Sequence, residues 1–371
     1  MRIFITTIIC ITMSVLLNAQ NTKLLVGTYT NNSKSEGIYV FNFNSKTGKA
    51  SLANSVAADD PSFLTVSPDK KFVYAVNELG DDKGGGTVSA FSFDNNNGKL
   101  QFINKQATQG EHPCYVSIDK TGKNVFAGNY SGGNFSSFGV NDDGGLTEAK
   151  TTIKHTGSGP NKDRQESPHV HCTILSPDNR WLFVTDLGTD KIVTYPFNAA
   201  TGTLENKAHT ETPSPAGAGP RHITFNKAGT HVYLIEELNG AVIVYDHNDG
   251  KLTATQTIHS LPEEKQSPAN SADIHLSPDE KFLYATHRIN NTIAIFSVNA
   301  ATGKLKHIET VPTNGKGPRN FSIDPTGAFL LVAHQNSDNI VVFKRNKKTG
   351  KLTDTKNNIE VAKPVCLVWN K

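Results

Sequence analysis

SPDEKFLYATHRINNTIAIFSVNAATGKLKHIETV, Ser277 to Val311, is the stretch on which the fold turns. Its two turn motifs, Ser-Pro-Asp and Thr-Gly-Lys-Leu, flank the apolar runs KFLYATH and TIAIFSV. Those runs are short, bounded by Asn, Gly, Asp and Pro, and rich in β-branched and aromatic residues, so they read as buried strands rather than helices. Read outward, SPD closes one strand and opens a second, and TGKL closes a third and opens a fourth. The unit is therefore a four-stranded antiparallel sheet of about fifty residues.

The same unit recurs along the chain. The second turn is seen seven times, at Thr47, Asn97, Asp143, Thr201, Asp249, Thr302 and Thr349, and the first turn six times, at Ser67, Asp119, Ser176, Asn226, Ser277 and Asp324. Four-stranded units of this length form propeller blades, and the count predicts an all-β, seven-bladed β-propeller. The missing seventh inner strand is expected from the tail KPVCLVWNK, whose Pro364 matches Pro318 of GPRN. Pairing of that tail beside Lys23 to Tyr29 would close the ring and leave no long sheet edge at the seam.

Because strands within a blade are antiparallel, the SPD and GKL turns share one face and the remaining connections share the other. Aligning the repeats puts Ser62, Cys114, His171, Arg221, Ala272, Arg319 and Val365 at the heads of the innermost strands on that second face. The corners GPRH, Gly219 to His222, and GPRN, Gly317 to Asn320, thus deliver an arginine to the channel mouth twice. The ends of the second strands add Asn77-Glu78, Asn129-Tyr130, Asp186-Leu187, Glu236-Glu237, His287-Arg288 and His334-Gln335. A ring this rich in carboxylates, imidazoles and guanidinium groups points to a polar pocket. The opposite face offers turn chemistry only.

Composition narrows the classes. The chain has 371 residues, is 36% hydrophobic and 19% charged, and carries a net charge of +3 spread over its length, which gives no nucleic-acid surface. Residues 1–19 have the order of a secretory leader: an arginine, an apolar run, then small and polar residues. Residues 20–371 are expected to be one exported, periplasmic or extracellular propeller domain without a transmembrane segment. With Cys10 in the leader, Cys114, Cys172 and Cys366 remain, too far apart in sequence for a disulfide framework or a zinc motif. His169 and His171 alternate in a strand, but spacing supplies no third ligand, so neither a metal nor another cofactor is expected. The sequence carries no signal of an oligomeric state.

The runs SPHVHCTILSPDNRWLFVTDLGTDKIVTYPF, GPRHITF, LIEELNGAVIVY, THRINNTIAIF and GPRNFSIDPTGAFLLVAHQNSDNIVVF resemble the lactonase family of seven-bladed propellers. That family includes propeller-type 6-phosphogluconolactonases and is related to the fungal carboxy-muconate cyclase. The resemblance runs from LLVGTYT at Leu24 to the tail. It implies a catalytic set of His171, Arg221, Glu237 and Arg288. In this chain EEL stands where relatives have NEL, so Glu236 adds a carboxylate.

Lactone hydrolysis needs a base for water and cationic or hydrogen-bonding groups for the developing oxyanion. His171 and Glu237 are the candidates for the base or its orienting partner, and Arg221 for polarising the ring carbonyl. Arg288 and Arg319 suit a carboxylate or phosphate, which they can grip through paired hydrogen bonds. His169, His222, Glu236, His287 and Asn320 complete the expected substrate-binding set. The strand start decides which of His169 and His171 faces the pocket. No G-x-S-x-G element offers a serine nucleophile. Three readings follow: a hydrolase of a sugar lactone, formally a 6-phosphogluconolactonase; a non-catalytic exported propeller that binds an anionic sugar or a protein; and a muconate-type cycloisomerase. Export would separate the enzyme from a phosphorylated lactone made in the cytosol.

Overall fold

A computed structural model describes residues 21–370; the expected leader lies outside them. Seven sheets are arranged around one axis, each antiparallel. Blade 1 runs outward as Pro364–Asn370, Asn21–Thr28, Gly37–Asn44 and Lys49–Ala57, so the tail supplies its innermost strand as expected. Lys23 pairs with Asn370 and Gly27 with Cys366. The innermost strands of blades 2 to 7 are Leu64–Val66, Pro113–Ile118, Val170–Leu175, Pro220–Phe225, Ser271–Leu276 and Pro318–Ile323. Blade 4 departs from the four-strand pattern, because a 3-10 turn at Asn206–Ala208 splits its outer strand into Thr203–Leu204 and Thr210–Pro213.

The core is distributed over the seams between blades. Seven clusters of buried apolar side chains each join one blade to the next, for example Val73, Ala75 and Phe91 of blade 2 with Leu25, Ile38 and Val40 of blade 1. At the seam that closes the ring, Phe43 meets Trp369 edge-on at 5.0 Å and Phe329 of blade 7 at 5.7 Å. Buried aromatic pairs at such angles contribute about 0.5–1.5 kcal/mol beyond their area, so the tail is fastened by packing as well as by its ladder.

The recurrent turns explain themselves locally. In SPD the serine hydroxyl donates to the aspartate and accepts the backbone N–H that opens the next strand, as in Ser67–Asp69 at 2.6 Å and Phe72 N–Ser67 Oγ at 3.0 Å. The glycine of the GKL turn has a further duty. It presses against the preceding blade, and the hydroxyls of Tyr74, Tyr233 and Tyr284 donate to the carbonyls of Gly144, Gly303 and Gly350 one blade on. Gly250 has φ +78°, and a Cβ there would sit 2.5 Å from the Trp181 ring. Gly250→Ala is expected to cost roughly 2–3 kcal/mol, the left-handed backbone and the displaced indole both contributing. Urea unfolding checks it; a midpoint equal to that of the unsubstituted chain would show that the seam yields.

Candidate active site

The innermost strands of blades 3, 4, 5 and 7 enter the axis through the same irregularity. Their pairing with the second strand skips one residue between Pro113 and Tyr115, Val170 and Cys172, Pro220 and His222, and Pro318 and Asn320. The residues left over are Cys114, His171, Arg221 and Arg319. A bulged residue has no ladder partner and its side chain is re-aimed, so the bulge repeated in these four blades delivers one side chain from each to the mouth. Proline suits the position before it, where a strand begins. Gly219 supplies the corner at φ +73°, its N–H donating to Asp190 Oδ1 at 2.9 Å.

The centre of the cluster is Glu237. Arg164 Nη2 reaches its Oε1 at 2.5 Å, while Arg221 Nε and Arg288 Nη2 reach Oε2 at 2.9 and 3.0 Å. Burial alone would raise this carboxyl's pKa; Arg288, Arg221 and Arg164 outweigh it and hold the value at about 2. Arg221 is 1% exposed and also donates to the Ala272 carbonyl and to His222 Nε2 at 3.2 Å. Arg288 is fixed by Asn270 through Nε at 3.0 Å and Nη2 at 2.6 Å. Burial lowers its pKa to about 10 against the pull of Glu237, so it remains cationic at neutral pH.

Beside this group Arg319 lies 4.0 Å from Glu78 and over the face of Tyr29, 5.4 Å from the ring centre. The Tyr29 hydroxyl shares its proton between both Glu78 oxygens at 3.1 and 3.0 Å. His171, 4% exposed, stands between Tyr130 and His222 with ring centres 5.6 and 5.2 Å away. Its Nδ1 is 3.7 Å from Cys114 Sγ, and Nε2 has no hydrogen bond among the described residues. Burial, then Arg221, His222 and Arg319, push its pKa well below the ordinary value, so the ring is neutral at pH 7. Burial pushes the Cys114 thiol up, which leaves it protonated and no nucleophile.

Below the mouth, Asp273 gathers the channel floor. It accepts from His222 Nδ1 at 2.8 Å, His275 Nε2 at 2.9 Å, Asn320 Nδ2 at 2.6 Å and Phe321 N at 3.3 Å. His222 therefore carries its proton on Nδ1 and offers Nε2 to Arg221, which fixes that guanidinium from beneath. Asn320 also accepts the Leu367 N–H at 2.7 Å, so the floor reaches the closing strand.

Of the expected residues, Arg221, Glu237 and Arg288 are joined by ion pairs, and His171 meets this group through the His222 ring, which Arg221 touches, with Arg319 nearby. His222 and Asn320 lie in the floor, spoken for by Asp273. His169 stacks on Tyr130 at 4.4 Å, and both its nitrogens are occupied, Nδ1 by the Tyr130 carbonyl at 3.0 Å and Nε2 by Glu166 at 3.1 Å. Two residues leave the cluster altogether. Glu236 points to the opposite side of its strand from Glu237, against Ser214, and burial raises its pKa to about 8. Both nitrogens of His287 are taken by serine hydroxyls, Ser260 at 2.9 Å and Ser271 at 2.6 Å, with no exposure.

Residues outside the expected catalytic and binding set are Arg164, Tyr29, Asp273, Glu78 and Tyr130, the last two of which stand in the ring of strand ends read from the repeats. Arg164 comes from the long connection between Lys154 and Val170, and its length is the one signal in the sequence that marks it. A cavity of about 320 Å³ is lined by Tyr29 and Glu78, the neighbours of Arg319, and by none of the arginines themselves.

A seven-bladed propeller whose bulged inner strands aim arginines and a neutral histidine at one mouth is the class that fold and site define. The chain belongs to the lactonase family: the model described as "Lactonase, 7-bladed beta-propeller" matches residues 23–369. It is 41% identical over 306 residues to a Formosa agariphila protein named 6-phosphogluconolactonase, covering 81% of this chain and 86% of that one. A Bacillus subtilis protein of the same name is 36% identical over 303 residues, covering 81% and 84%. The solved structure of the Pseudomonas aeruginosa periplasmic gluconolactonase superposes with a TM-score of 0.88 at 36% identity, covering 94% of this chain and 98% of that one.

Proposed function

We propose that the chain is a lactonase that opens the ester ring of an aldonolactone, the class to which gluconolactone and its 6-phosphate both belong. The observation that carries this reading is a neutral imidazole, unpartnered at Nε2 among the described residues, that packs on the His222 ring, which in turn touches a guanidinium clamped by Glu237. Water held at His171 Nε2 gives up a proton as its oxygen bonds to the ring carbonyl carbon. Negative charge grows on the carbonyl oxygen, where Arg221 and Arg288 supply fixed positive charge. The ring C–O bond then breaks, the proton passes from His171 to the departing oxygen, and the hydroxy acid loses its carboxyl proton to solvent and leaves as its carboxylate.

Glu237 makes a poor base, since its oxygens are saturated by three guanidiniums and its pKa is near 2. Its role is to hold the arginines apart and aimed. The names of the Formosa, Bacillus and Pseudomonas relatives support the substrate class. We also propose export, on the leader pattern of residues 1–19 and in keeping with the Pseudomonas protein's name; cell fractionation checks it.

The test is a panel of aldonolactones assayed by acid release with the purified protein. Ring opening faster than the spontaneous rate, lost in Arg288→Met by roughly 10²-fold or more, is the expected result. Turnover of a carboxy-muconate with no lactone opened would instead make the site a cycloisomerase, and tight sugar-acid binding without turnover would make it a binding propeller.

A further inference from the structure

The connection from Lys154 to Val170 is the longest between two blades. Both its ends are tied to one carboxylate: Asp186 accepts from His155 Nδ1 at 2.9 Å and from the His169 N–H at 2.8 Å. Its middle is tied to another. Gln165, with no exposure, donates from Nε2 to Asp190 Oδ1 at 2.7 Å and to the Leu187 carbonyl at 2.9 Å. Asp190 also accepts the Gly217 and Gly219 N–H groups at 2.7 and 2.9 Å, in the corner from which Arg221 leaves for the axis. The connection is therefore a strap fixed to the scaffold of the site, and the residue before its anchor is Arg164.

Arg164 is held differently from the other guanidinium groups. Its Nη2 serves Glu237 Oε1 at 2.5 Å and the Tyr130 hydroxyl at 3.2 Å, while Nε and Nη1 have no partner among the described residues. Its side chain is 37% exposed, against 11% for Arg288 and 15% for Arg319, so it meets a ligand from the solvent side. Nη1 can bond that ligand without giving up Glu237. Arg221 bonds through Nε and Nη1, and Arg288 through Nε and Nη2, which leaves each one terminal nitrogen for the carbonyl oxygen. Arg319 has free donors too, but Glu78 stands 4.0 Å from it, so a carboxylate arriving there would face one already in place.

We propose that Arg164 is a further substrate-contacting residue, which takes the second oxygen of the carboxylate formed by ring opening and so sets how tightly the hydroxy-acid product is held. The proposal rests on the lactonase reading above. One oxygen of that carboxylate is the former carbonyl oxygen, at Arg221 and Arg288. The other comes from the water at His171, and the pair carries its full charge once the new carboxyl group has given its proton to solvent. Arg164 stands on that side: the Tyr130 ring, whose hydroxyl it bonds, meets His171 edge-on with 5.6 Å between ring centres. A neutral lactone presents no such charge, so Arg164 counts for more in the product complex than in the substrate complex.

The experiment measures turnover of D-gluconolactone, its inhibition by D-gluconate, and gluconate binding by calorimetry. In Arg164→Met we expect the inhibition constant of gluconate to rise about tenfold or more, the loss of one charge-assisted contact, and the KM of the lactone to rise several-fold less. The kcat should fall as well, because Glu237 Oε1 loses its partner. Raising salt should weaken gluconate binding in the unsubstituted protein more than in the variant. Arg164→Lys, which keeps a charge near Glu237 but not the planar group, should lie between the two, and it carries the test if Arg164→Met does not fold. An unchanged inhibition constant, or one that moves by the same factor as KM, overturns the proposal; the loss appearing in Arg319→Met instead would give the contact to Arg319. If the unsubstituted protein opens no lactone, the hydrolase reading fails and calorimetry decides this one. Gluconate bound about tenfold more weakly by Arg164→Met then upholds the carboxylate contact, and equal binding by the two proteins, or none by either, overturns it.

Discussion

Glu237→Gln is expected to cost the fold roughly 3–5 kcal/mol at pH 7, because it leaves three buried or half-buried guanidinium groups without their common counter-charge. The isosteric amide keeps the volume and presents one oxygen, so packing is not the cause. The pH dependence follows from the direction of the shift. Glu237's carboxyl is held at about 2, below its ordinary 4.5, so its contribution is complete above 4.5 and fades as the pH falls through about 2. The gap between the two proteins should therefore be full at pH 7 and shrink in acid. Its neighbour provides the opposite sign. Glu236, raised to about 8, costs the folded state progressively as the pH climbs from 4.5 toward 8, so Glu236→Gln should stabilise most at alkaline pH. Urea midpoints for the three proteins across pH decide both points. A pH-independent loss in Glu237→Gln would mean that the arginines find other partners.

That two adjacent carboxylates behave so differently was only half legible in the sequence. EEL shows two acids at a strand end, and alternation says they face opposite ways. Which one meets the arginines depends on the strand register: the repeat alignment put both in the ring, the resemblance singled out Glu237, and in the structure it is Glu237 that pairs with them. The fold itself was legible because its causes are local. Ser-Pro-Asp makes its own hydrogen bonds, and the GKL glycine meets the same seam in successive blades. The tail strand was legible because a missing element in a closed ring has one place to go.

The site was legible where it repeats and silent where it does not. Arg221 and Arg319 stand at the same repeat position, and the bulge found there is the physical reason that the position faces the axis. The bulge also turns the following residue toward the channel, so His222 and Asn320 reach the floor. Asp273, which receives them both, follows Ala272 and could not be chosen by an alignment that took one residue per strand. Arg164 lies in a connection that no other blade shares, so periodicity holds no information about it. Its partner Glu237 is separated from it by 73 positions in the chain. The contrast has an energetic side. Seams can be built from interchangeable apolar side chains, whereas a carboxylate with three guanidiniums needs each donor in a particular place.

His171→Ala should lower kcat on a lactone by roughly 10²–10⁴-fold, the usual contribution of a positioned general base. KM should change little, because the arginines that meet the carbonyl do not depend on this ring for their placement: Glu237, Asn270 and the Ala272 carbonyl hold them. The pH profile tests the role more sharply than the rate alone. Burial, Arg221, His222 and Arg319 all favour the neutral ring, so the basic form is already present well below the ordinary histidine range. The rate should therefore stay level through the ordinary histidine range instead of rising through a limb near 6.5. His171→Asn separates chemistry from packing: it keeps a polar side chain in the site but no base of comparable strength. Should it retain the full rate, or should the unsubstituted enzyme show a rising limb centred near 6.5, proton transfer would have to be assigned away from this imidazole. Glu78 would then be the remaining carboxylate at the mouth, held only by the Tyr29 hydroxyl and a distant Arg319.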